Sequence, residues 1–428
     1  MRPLKIALIS RWYWLESRFH YDDEGGATRQ LAEAVAALGH EVVVLTQSAE
    51  VRKLKKIEIG NLETWASPRE KHRDILTAWR DRLAKKKFLY SKVYSDALVL
   101  RDFLRRRGPF DAVWAHAEST DGLILAIAAQ LKVKLPPVLL QIQALHFRFD
   151  KGMPVFTNRM PIDIALRQAS RVLANYEMAA GALLNYAGPG HSESDLKAKV
   201  RVVYPNIQRA FLRAAHEDPP VPASMPDRVL FLGSLTRNKG ALLFLKALPK
   251  TEASNRNSTF AVVGDFTEYN KRFIRRWEEA KEITRIQLRG ARVEYLGRVS
   301  TTEVVRQIRL ARVVVVPSLF ETFSRSVVEA LILGRAVITT DKVGAAQLLT
   351  THQCGIVIPP NDDEALAQAI DAALSPVVPF TENAERVGQS LSHELAPEAI
   401  APIMAYHLGR IAGEIVVPPK PAAPAPAP

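Results

Sequence analysis

The sequence predicts an α/β protein of two domains, each built on a parallel sheet. At 428 residues the chain is too long for one ordinary core, since domains average about 150 residues. Short apolar, β-branched runs, typical of strands buried on both faces, alternate with amphipathic helical patterns in both halves. A proline-rich, aperiodic segment at 217–226 separates the halves and is typical of an interdomain connection.

These patterns predict the domain boundaries. We expect a first domain over 1–215, a linker over 216–227 and a second domain over 228–395. A helical segment lies within 396–415, and the Pro/Ala-rich tail 416–428 is of low complexity, so we expect it to be disordered.

In the first half, the predicted strands are 5–10, 41–46, 110–115, 138–142, 169–174 and 200–203. The first two strands flank a helix that begins at the glycine turn Gly25-Gly26-Ala27. Such a turn lets a phosphate or sugar approach the backbone closely, although a simple tight turn explains the glycine pair equally well. The spacing Gly-x-Gly-x-x-Gly is absent, so no dinucleotide site is predicted.

In the second half, the predicted strands are 228–232, 260–264, 293–297, 313–316 and 355–359, and the last is followed by a helix over 364–374. The loop after the first of them runs Gly-Ser-Leu-Thr-Arg-Asn-Lys-Gly and ends at Gly240. Lys239 precedes that glycine at a strand-to-helix turn, where a lysine is well placed to pair with a diphosphate.

The stretch from 313 to 341 reads VVVVPSLFETFSRSVVEALILGRAVITTD. It predicts a buried strand, a loop holding Glu321, a helix with Ser324 as its N-cap, and a stop at Gly334. A loop at the carboxyl end of a parallel strand is where open α/β sheets bind ligands, and the following helix N-terminus offers N–H groups to an anion. Glu321 and Glu329 flank that position and can accept hydrogen bonds from sugar or ribose hydroxyls.

The spacing Glu-x7-Glu inside PSLFETFSRSVVEA, with the Gly-x-x-Val-Ile-x-Thr that follows it, resembles the signature of the family-4 retaining glycosyltransferases, also called glycosyl transferases group 1. The resemblance covers roughly residues 4–412 and is most specific over 228–375. It implies the GT-B architecture: two Rossmann-like domains facing each other across a cleft, the first for the acceptor and the second for a nucleotide sugar. The helix within 396–415 would cross back to the first domain.

The resemblance also implies roles for individual residues. His116 ends an Asp-x-x-x-x-His motif and would reach the donor sugar, Glu321 would hold sugar hydroxyls, and Lys239 would stabilise the departing diphosphate; we expect these three to be catalytic. The expected donor-binding residues are Gly26, Arg237, Lys239, Val299, Glu321, Thr322, Phe323, Ser324, Arg325 and Glu329, with Glu329 on the ribose.

The sequence departs from the family pattern at four positions. Ser234 stands where an arginine is usual, Gln143 where a histidine is common, and Ile207 and Ser324 where glycines are. Whether Arg237 replaces the missing arginine stays open. A catalytically impaired nucleotide-sugar-binding protein of the same fold is therefore the alternative to an active enzyme.

No Asp-x-Asp and no His/Cys cluster with metal-ligand spacing occurs, so we expect a metal-independent, hexosyltransferase-like enzyme without a cofactor. Retention of the anomeric configuration is implied by the resemblance alone. The expected partners are a nucleotide-sugar donor and a lipid-linked or saccharide acceptor, in glycan or glycolipid synthesis. Cys354 is the lone cysteine, which excludes internal disulfides.

The formal charge of +13 is concentrated. Residues 51–107 hold 17 Lys or Arg against 7 Asp or Glu, a net +10, which indicates an anionic partner surface. Within 83–107 an apolar stripe predicts a helix that either packs on the sheet or lies on a membrane surface. A nucleic-acid-binding protein is a further, less favoured alternative that would explain the charge. Because a recognisable recognition module and an interleaved aromatic platform are both absent, nucleic acid is not expected as a partner.

The sequence starts without a recognisable signal peptide and has no run of about 20 apolar residues. We therefore expect a cytoplasmic protein, with peripheral attachment to the cytoplasmic membrane face left open.

Overall fold

The computed structural model describes residues 1–10, 26–48, 51–68, 87–117, 121–131, 134–142, 147–150, 153–156, 159–185, 191–217, 227–255, 257–266, 271–288, 290–375 and 380–419. The described chain forms two compact units. The first contains the residues up to Asn206 together with those from Pro397 onward, and the second runs from Ile207 to Ala396.

The first unit is built on an eight-stranded sheet of order β10-β9-β6-β5-β1-β2-β4-β3, and only β3 is antiparallel to its neighbour. Its strands are β1 (Lys5–Ile9), β2 (Glu41–Ser48), β3 (Lys55–Ile57), β4 (Glu63–Pro68), β5 (Ala112–Ala117), β6 (Val138–Ile142), β9 (Arg171–Ala174) and β10 (Val200–Val202), with a separate hairpin of β7 (Phe147–Asp150) and β8 (Met153–Phe156). Its helices are α1 (Ala27–Ala37), α2 (Lys87–Arg107), α3 (Asp121–Gln130), α4 (Arg159–Gln168), α5 (Glu177–Leu184), α6 (Glu193–Lys199) and α15 (Pro397–Ile411).

The second unit has a six-stranded, all-parallel sheet of order β13-β12-β11-β14-β15-β16. Its strands are β11 (Arg228–Leu232), β12 (Thr259–Val263), β13 (Arg292–Gly297), β14 (Val313–Val316), β15 (Ala336–Thr340) and β16 (Gly355–Ile358). Its helices are α7 (Arg209–Glu217), α8 (Ala241–Ala247), α9 (Lys271–Gln287), α10 (Thr301–Leu310), α11 (Arg325–Ile332), α12 (Ala346–His352), α13 (Asp363–Leu374) and α14 (Phe380–Glu394), with short 3-10 turns at Leu248–Lys250 and Glu252–Asn255.

The predicted pair of α/β domains is confirmed. All four residues of β14 are buried, as expected for a central strand covered by helices on both faces. The order of the second sheet changes direction between β11 and β14, so its carboxyl edge has the switch point at which open α/β sheets bind ligands.

The boundary between the units lies earlier than predicted, at Asn206 instead of 215. The cause is α7, which buries Phe211 and Leu212 and packs against α10, α11 and α14 of the second unit. Residues 218–226 of the predicted linker lie outside the described part of the chain. Helix α15 belongs to the first unit, where it packs against α1, β5 and β6.

The burial of helix α2 decides between the two interpretations of its apolar stripe, packing on the sheet or lying on a membrane surface. Val93, Ala97, Leu100 and Leu104 are buried in the core of the first unit, so the described part of the stripe packs on the sheet and does not face a membrane. The described residues contain no helix both long and apolar enough to cross a bilayer. In the predicted disordered tail, 416–419 have no helix or strand, and 420–428 lie outside the described residues.

Candidate active site

Two loops meet at the carboxyl edge of the second sheet. Because β11 and β14 pair in parallel, the loop 233–240 after β11 and the loop 317–324 after β14 begin side by side. The Leu319 N–H donates to the Asn238 carbonyl oxygen at 2.7 Å, and Asn238 Nδ2 donates to the Phe320 carbonyl oxygen at 3.0 Å. Asn238 therefore holds the two loops together.

Gly240 makes this close approach sterically feasible. Its φ is +71°, and a Cβ on it would lie 2.1 Å from the Pro317 carbonyl oxygen. A side chain at this position would both strain the backbone and collide with the neighbouring loop. The start of α8 can lie against the β14 loop only because residue 240 is a glycine.

Two of the three expected catalytic residues are in direct contact. Lys239 Nζ lies 2.8 Å from Glu321 Oε2, with 32% of the lysine side chain and 14% of the glutamate side chain exposed. An ammonium group has three donors, so Lys239 can hold Glu321 and still offer N–H groups to an anion. The two loops thus bring a cation and a carboxylate to one point.

The Glu321 side chain and backbone are both fixed. Ser318 Oγ donates to Glu321 Oε1 at 2.5 Å, the Glu321 N–H donates to the Lys342 carbonyl oxygen at 3.1 Å, and the Gly344 N–H donates to the Glu321 carbonyl oxygen at 3.0 Å. Sequence reasoning missed the supporting role of Ser318. The Ser-x-x-Glu spacing was a usable signal, because a hydroxyl three residues before a carboxylate can bond to it within a turn.

Glu329 lies in α11, one turn beyond Arg325. Burial raises the pKa of its carboxyl group to about 7, with a smaller contribution in the same direction from Glu321, while Arg325 and Lys239 favour the charged form. The four predicted residues Lys239, Glu321, Arg325 and Glu329 therefore form one electrostatic cluster. At neutral pH the Glu329 carboxyl is divided between its acid and its carboxylate form.

Ser324 precedes α11 at the N-cap position, but its side chain makes no cap hydrogen bond. The prediction of a side-chain cap is wrong, because capping uses an extended backbone and Ser324 has φ +77°. The residue is 5% exposed, and its Oγ has no hydrogen-bond partner among the described residues.

The other predicted donor-site residues of this unit lie along the same edge. Arg237 is exposed on the turn of the β11 loop, and Ser234, at the place of the expected arginine, is partly buried there. Val299 follows β13 and is partly buried. In the β14 loop, Thr322 is partly buried and Phe323 is 4% exposed.

Two predicted site residues belong to the first unit. His116 lies within β5, which extends to Ala117 and not only to 115 as predicted, so the histidine is inside the strand instead of beyond it. The residue is 8% exposed, and its Nδ1 lies 3.3 Å from Ser10 Oγ at the end of β1. Gly26 starts α1 with an extended backbone, φ −80°. Gln143 lies outside the described residues.

Over the described ranges, no group of three or more His, Cys, Asp and Glu side chains is placed to hold a metal ion. Metal independence stays a prediction. The chemistry that the second unit does offer is a partly exposed ammonium group, a helix N-terminus and two carboxylates. The first two suit an anion, and the carboxylates suit the hydroxyls beside it.

Two family models match parts of this chain. A family model described as Glycosyl transferases group 1 matches residues 226–375, and one described as Glycosyl transferase 4-like domain matches residues 25–193. Glycogen synthase of Mycobacterium tuberculosis is 24% identical over 180 residues. The match covers 42% of this chain and 42% of that protein, so the chain spans less than half the length of this curated relative.

Two solved structures share the fold over nearly the whole chain. Sucrose-phosphate synthase from Thermosynechococcus elongatus has a TM-score of 0.70 and 20% identity over 96% of this chain and 100% of that one. The E. coli trehalose-6-phosphate structure with bound UDP-2-fluoro glucose has a TM-score of 0.71 and 13% identity over 97% and 100% of the two chains. The predicted GT-B fold class is confirmed by these likenesses.

Proposed function

Because this chain belongs to the group 1 glycosyltransferases, we propose that it transfers a hexose from a nucleotide-sugar donor to a lipid-linked or saccharide acceptor, with retention of the anomeric configuration. The single observation that supports the proposal most is the Lys239–Glu321 pair, 2.8 Å apart in front of α11. It provides a cation for a leaving phosphate beside a carboxylate for sugar hydroxyls.

In the proposed reaction, the bond from the anomeric carbon to the diphosphate breaks as the bond to the acceptor oxygen forms. The acceptor proton passes to the departing phosphate oxygen. Lys239 and the N–H groups at the start of α11 stabilise the negative charge that develops on the diphosphate. No protein nucleophile is required, and attack on the face that the diphosphate leaves retains the configuration.

The two carboxylates have different tasks in this proposal. Glu321, which Ser318 and the 342–344 backbone hold in place, accepts hydrogen bonds from hydroxyls of the transferred sugar. Glu329 accepts hydrogen bonds from the ribose. Ribose contacts are alike in ground state and transition state, whereas sugar contacts can tighten as the reaction proceeds.

The first property to determine is which nucleotide the protein binds. The E. coli neighbour was solved with UDP-2-fluoro glucose, which makes a UDP sugar the first candidate. A thermal-shift screen with UDP, GDP, ADP, CMP and dTDP identifies the base, because a ligand at 100 times its dissociation constant stabilises the folded protein by about 2.7 kcal/mol.

The corresponding nucleotide sugar is then incubated with saccharide and lipid-linked acceptors. Release of nucleotide that depends on the acceptor supports the transferase. Binding without release supports the catalytically impaired alternative, which the replacements at Ser234 and Ser324 would explain. A protein that none of the five nucleotides stabilises refutes both.

A further inference from the structure

Ser324 combines two unfavourable features at one position of the candidate site. Its backbone, with φ +77° and ψ 91°, lies where residues with a side chain are strained and glycine is not. Its hydroxyl is in a side chain only 5% exposed and has no partner among the described residues. Buried polar groups in folded proteins are nearly always hydrogen-bonded, so such an exception calls for an explanation.

Other serines at N-cap positions in this chain behave differently. Ser192 Oγ accepts from the Asp195 N–H at 3.1 Å, and Ser300 Oγ accepts from the Glu303 N–H at 3.2 Å. Both have the extended backbone that a cap requires. Ser324 has a different backbone, and its hydroxyl does not serve the helix that it precedes.

The position of this hydroxyl suggests what its partner is. Ser324 directly precedes the start of α11, and it lies three residues after Glu321, which pairs with Lys239. A hydroxyl group has one donor and two acceptor sites, so it can bond to a phosphate oxygen or to a sugar hydroxyl. A ligand oxygen at the start of α11 would satisfy it.

We propose that the Ser324 hydroxyl is a ligand of the donor substrate and hydrogen-bonds an oxygen of the bound nucleotide sugar. This inference rests on the proposed function and adds to it a contact that glycine at this position cannot make. The oxygen belongs either to the diphosphate or to the transferred sugar. The strained backbone thus places a hydroxyl, and not only backbone N–H groups, at the donor.

The test uses three variants of the full chain. Ser324→Ala removes the hydroxyl and keeps the Cβ and its strain, whereas Ser324→Gly removes both. Ser258→Ala is the matched control, since Ser258 is 1% exposed, its Oγ also lacks a described partner, and it precedes β12 at the opposite edge of the same sheet.

We measure the melting temperature of each ligand-free protein and the dissociation constants of the nucleoside diphosphate and of the nucleotide sugar. Ser324→Ala should melt no lower than the wild type, because it removes a buried hydroxyl without a partner. It should bind the nucleotide sugar about 10-fold more weakly, a typical loss for a hydrogen bond to a ligand. Ser324→Gly should melt higher still and bind equally weakly, and Ser258→Ala should bind like the wild type.

The two ligands distinguish the two sources of the oxygen. A loss with both ligands assigns the contact to the diphosphate, and a loss with the nucleotide sugar alone assigns it to the sugar. The inference is overturned if Ser324→Ala melts several degrees lower, which makes the hydroxyl structural, or if both Ser324 variants bind both ligands like the wild type. A wild-type protein that binds no nucleotide refutes the proposed function, and this inference with it.

Discussion

Glu329 is the residue of the site whose charge changes near neutral pH. Burial raises the pKa of its carboxyl from 4.5 to about 7, so the folded protein binds a proton there more tightly than the unfolded chain does. A raised carboxyl pKa stabilises the fold fully below pH 4.5, and this stabilisation is lost as the pH rises through 7.

Replacing Glu329 by Gln should therefore stabilise the protein at high pH only. The shift corresponds to about 3 kcal/mol of unfolding free energy at pH 8, and the difference from the wild type should shrink toward zero near pH 4.5. Urea unfolding of both proteins at pH 5 and pH 8 measures it. An equal difference at the two pH values would show that Glu329 does not titrate as proposed.

The same residue predicts how donor binding depends on pH. A carboxylate is a stronger acceptor for ribose hydroxyls than the neutral acid, so the wild type should bind the nucleoside diphosphate more tightly at pH 8 than at pH 6. Titration calorimetry of Glu329→Gln provides the control, because its affinity at pH 8 should be lower than that of the wild type and should rise less between pH 6 and pH 8. If the wild type bound the nucleoside diphosphate equally at both pH values, the assignment of Glu329 to the ribose would be wrong.

Lys239 should contribute mainly to turnover. Removing one preorganised donor to developing charge lowers kcat about 10²- to 10³-fold, and Lys239→Ala should fall in this range. Glu321→Gln is the variant to compare with Lys239→Ala, because it removes the carboxylate of the ion pair and keeps the Lys239 ammonium group. If Lys239→Ala kept kcat within twofold of the wild type, Arg237 or Arg325 would hold the diphosphate instead.

At the scale of elements, Gly240 allows the loop after β11 to lie against the loop after β14. Gly240→Ala should lower the unfolding free energy by about 2–4 kcal/mol, because its Cβ would lie 2.1 Å from the Pro317 carbonyl oxygen and its φ is +71°. Gly39→Ala is the matched control, since Gly39 has φ +93° and no atom within 4 Å of an added Cβ. Strain alone should cost about 1 kcal/mol there, and equal losses at both sites would show that the loop contact does not matter.

The elements predicted best are those whose sequence leaves no alternative. Strand β14 was found at its predicted bounds, Val313–Val316, because four consecutive valines fit a buried strand and little else. Strand β3 was missed, because Lys55 and Lys56 are exposed at the sheet edge and only pairing with β4 makes the segment a strand. An edge strand of this kind carries almost no local signal.

The residues of the candidate site also differ in how far the sequence alone predicts them. Lys239 and Glu321 could be found from motif spacing, because both follow directly from the strand-loop-helix pattern. The left-handed backbone of Ser324 and the raised pKa of Glu329 could not, since both depend on packing by residues distant in sequence. For the same reason, the sequence of the short helix α7 does not indicate which of the two domains the helix packs against.

At the scale of the whole molecule, the basic segment 51–107 is only partly neutralised by neighbouring acids. Arg107 pairs with Glu63 and Arg106 with Asp102, whereas Lys55 and Lys56 are exposed on β3. Lys85 and Lys86 lie outside the described residues. The described apolar stripe of α2 is buried, so this stripe does not supply an apolar contact with a membrane.

We therefore propose reversible attachment to an anionic membrane, where the acceptor would be lipid-linked. Each Lys or Arg near an anionic leaflet contributes about 1 kcal/mol, so three or four suffice for binding. The protein should float with anionic vesicles at 0.1 M salt and sink with neutral ones. It should also sink at 1 M salt, because the Debye length falls from about 10 Å to about 3 Å.

Charge-reversal variants distinguish an effect of the basic segment on flotation from an effect of the protein's net charge. Lys85, Lys86 and Lys87 changed together to Glu should abolish flotation, whereas the same change at Lys271, Arg272 and Arg276, which are exposed on α9 of the second unit, should leave it intact. Both triple variants alter the net charge equally, so equal losses would mean that overall charge drives binding. Flotation that persists at 1 M salt would contradict the electrostatic mechanism, because attraction between exposed charges and the membrane surface is screened at that salt concentration.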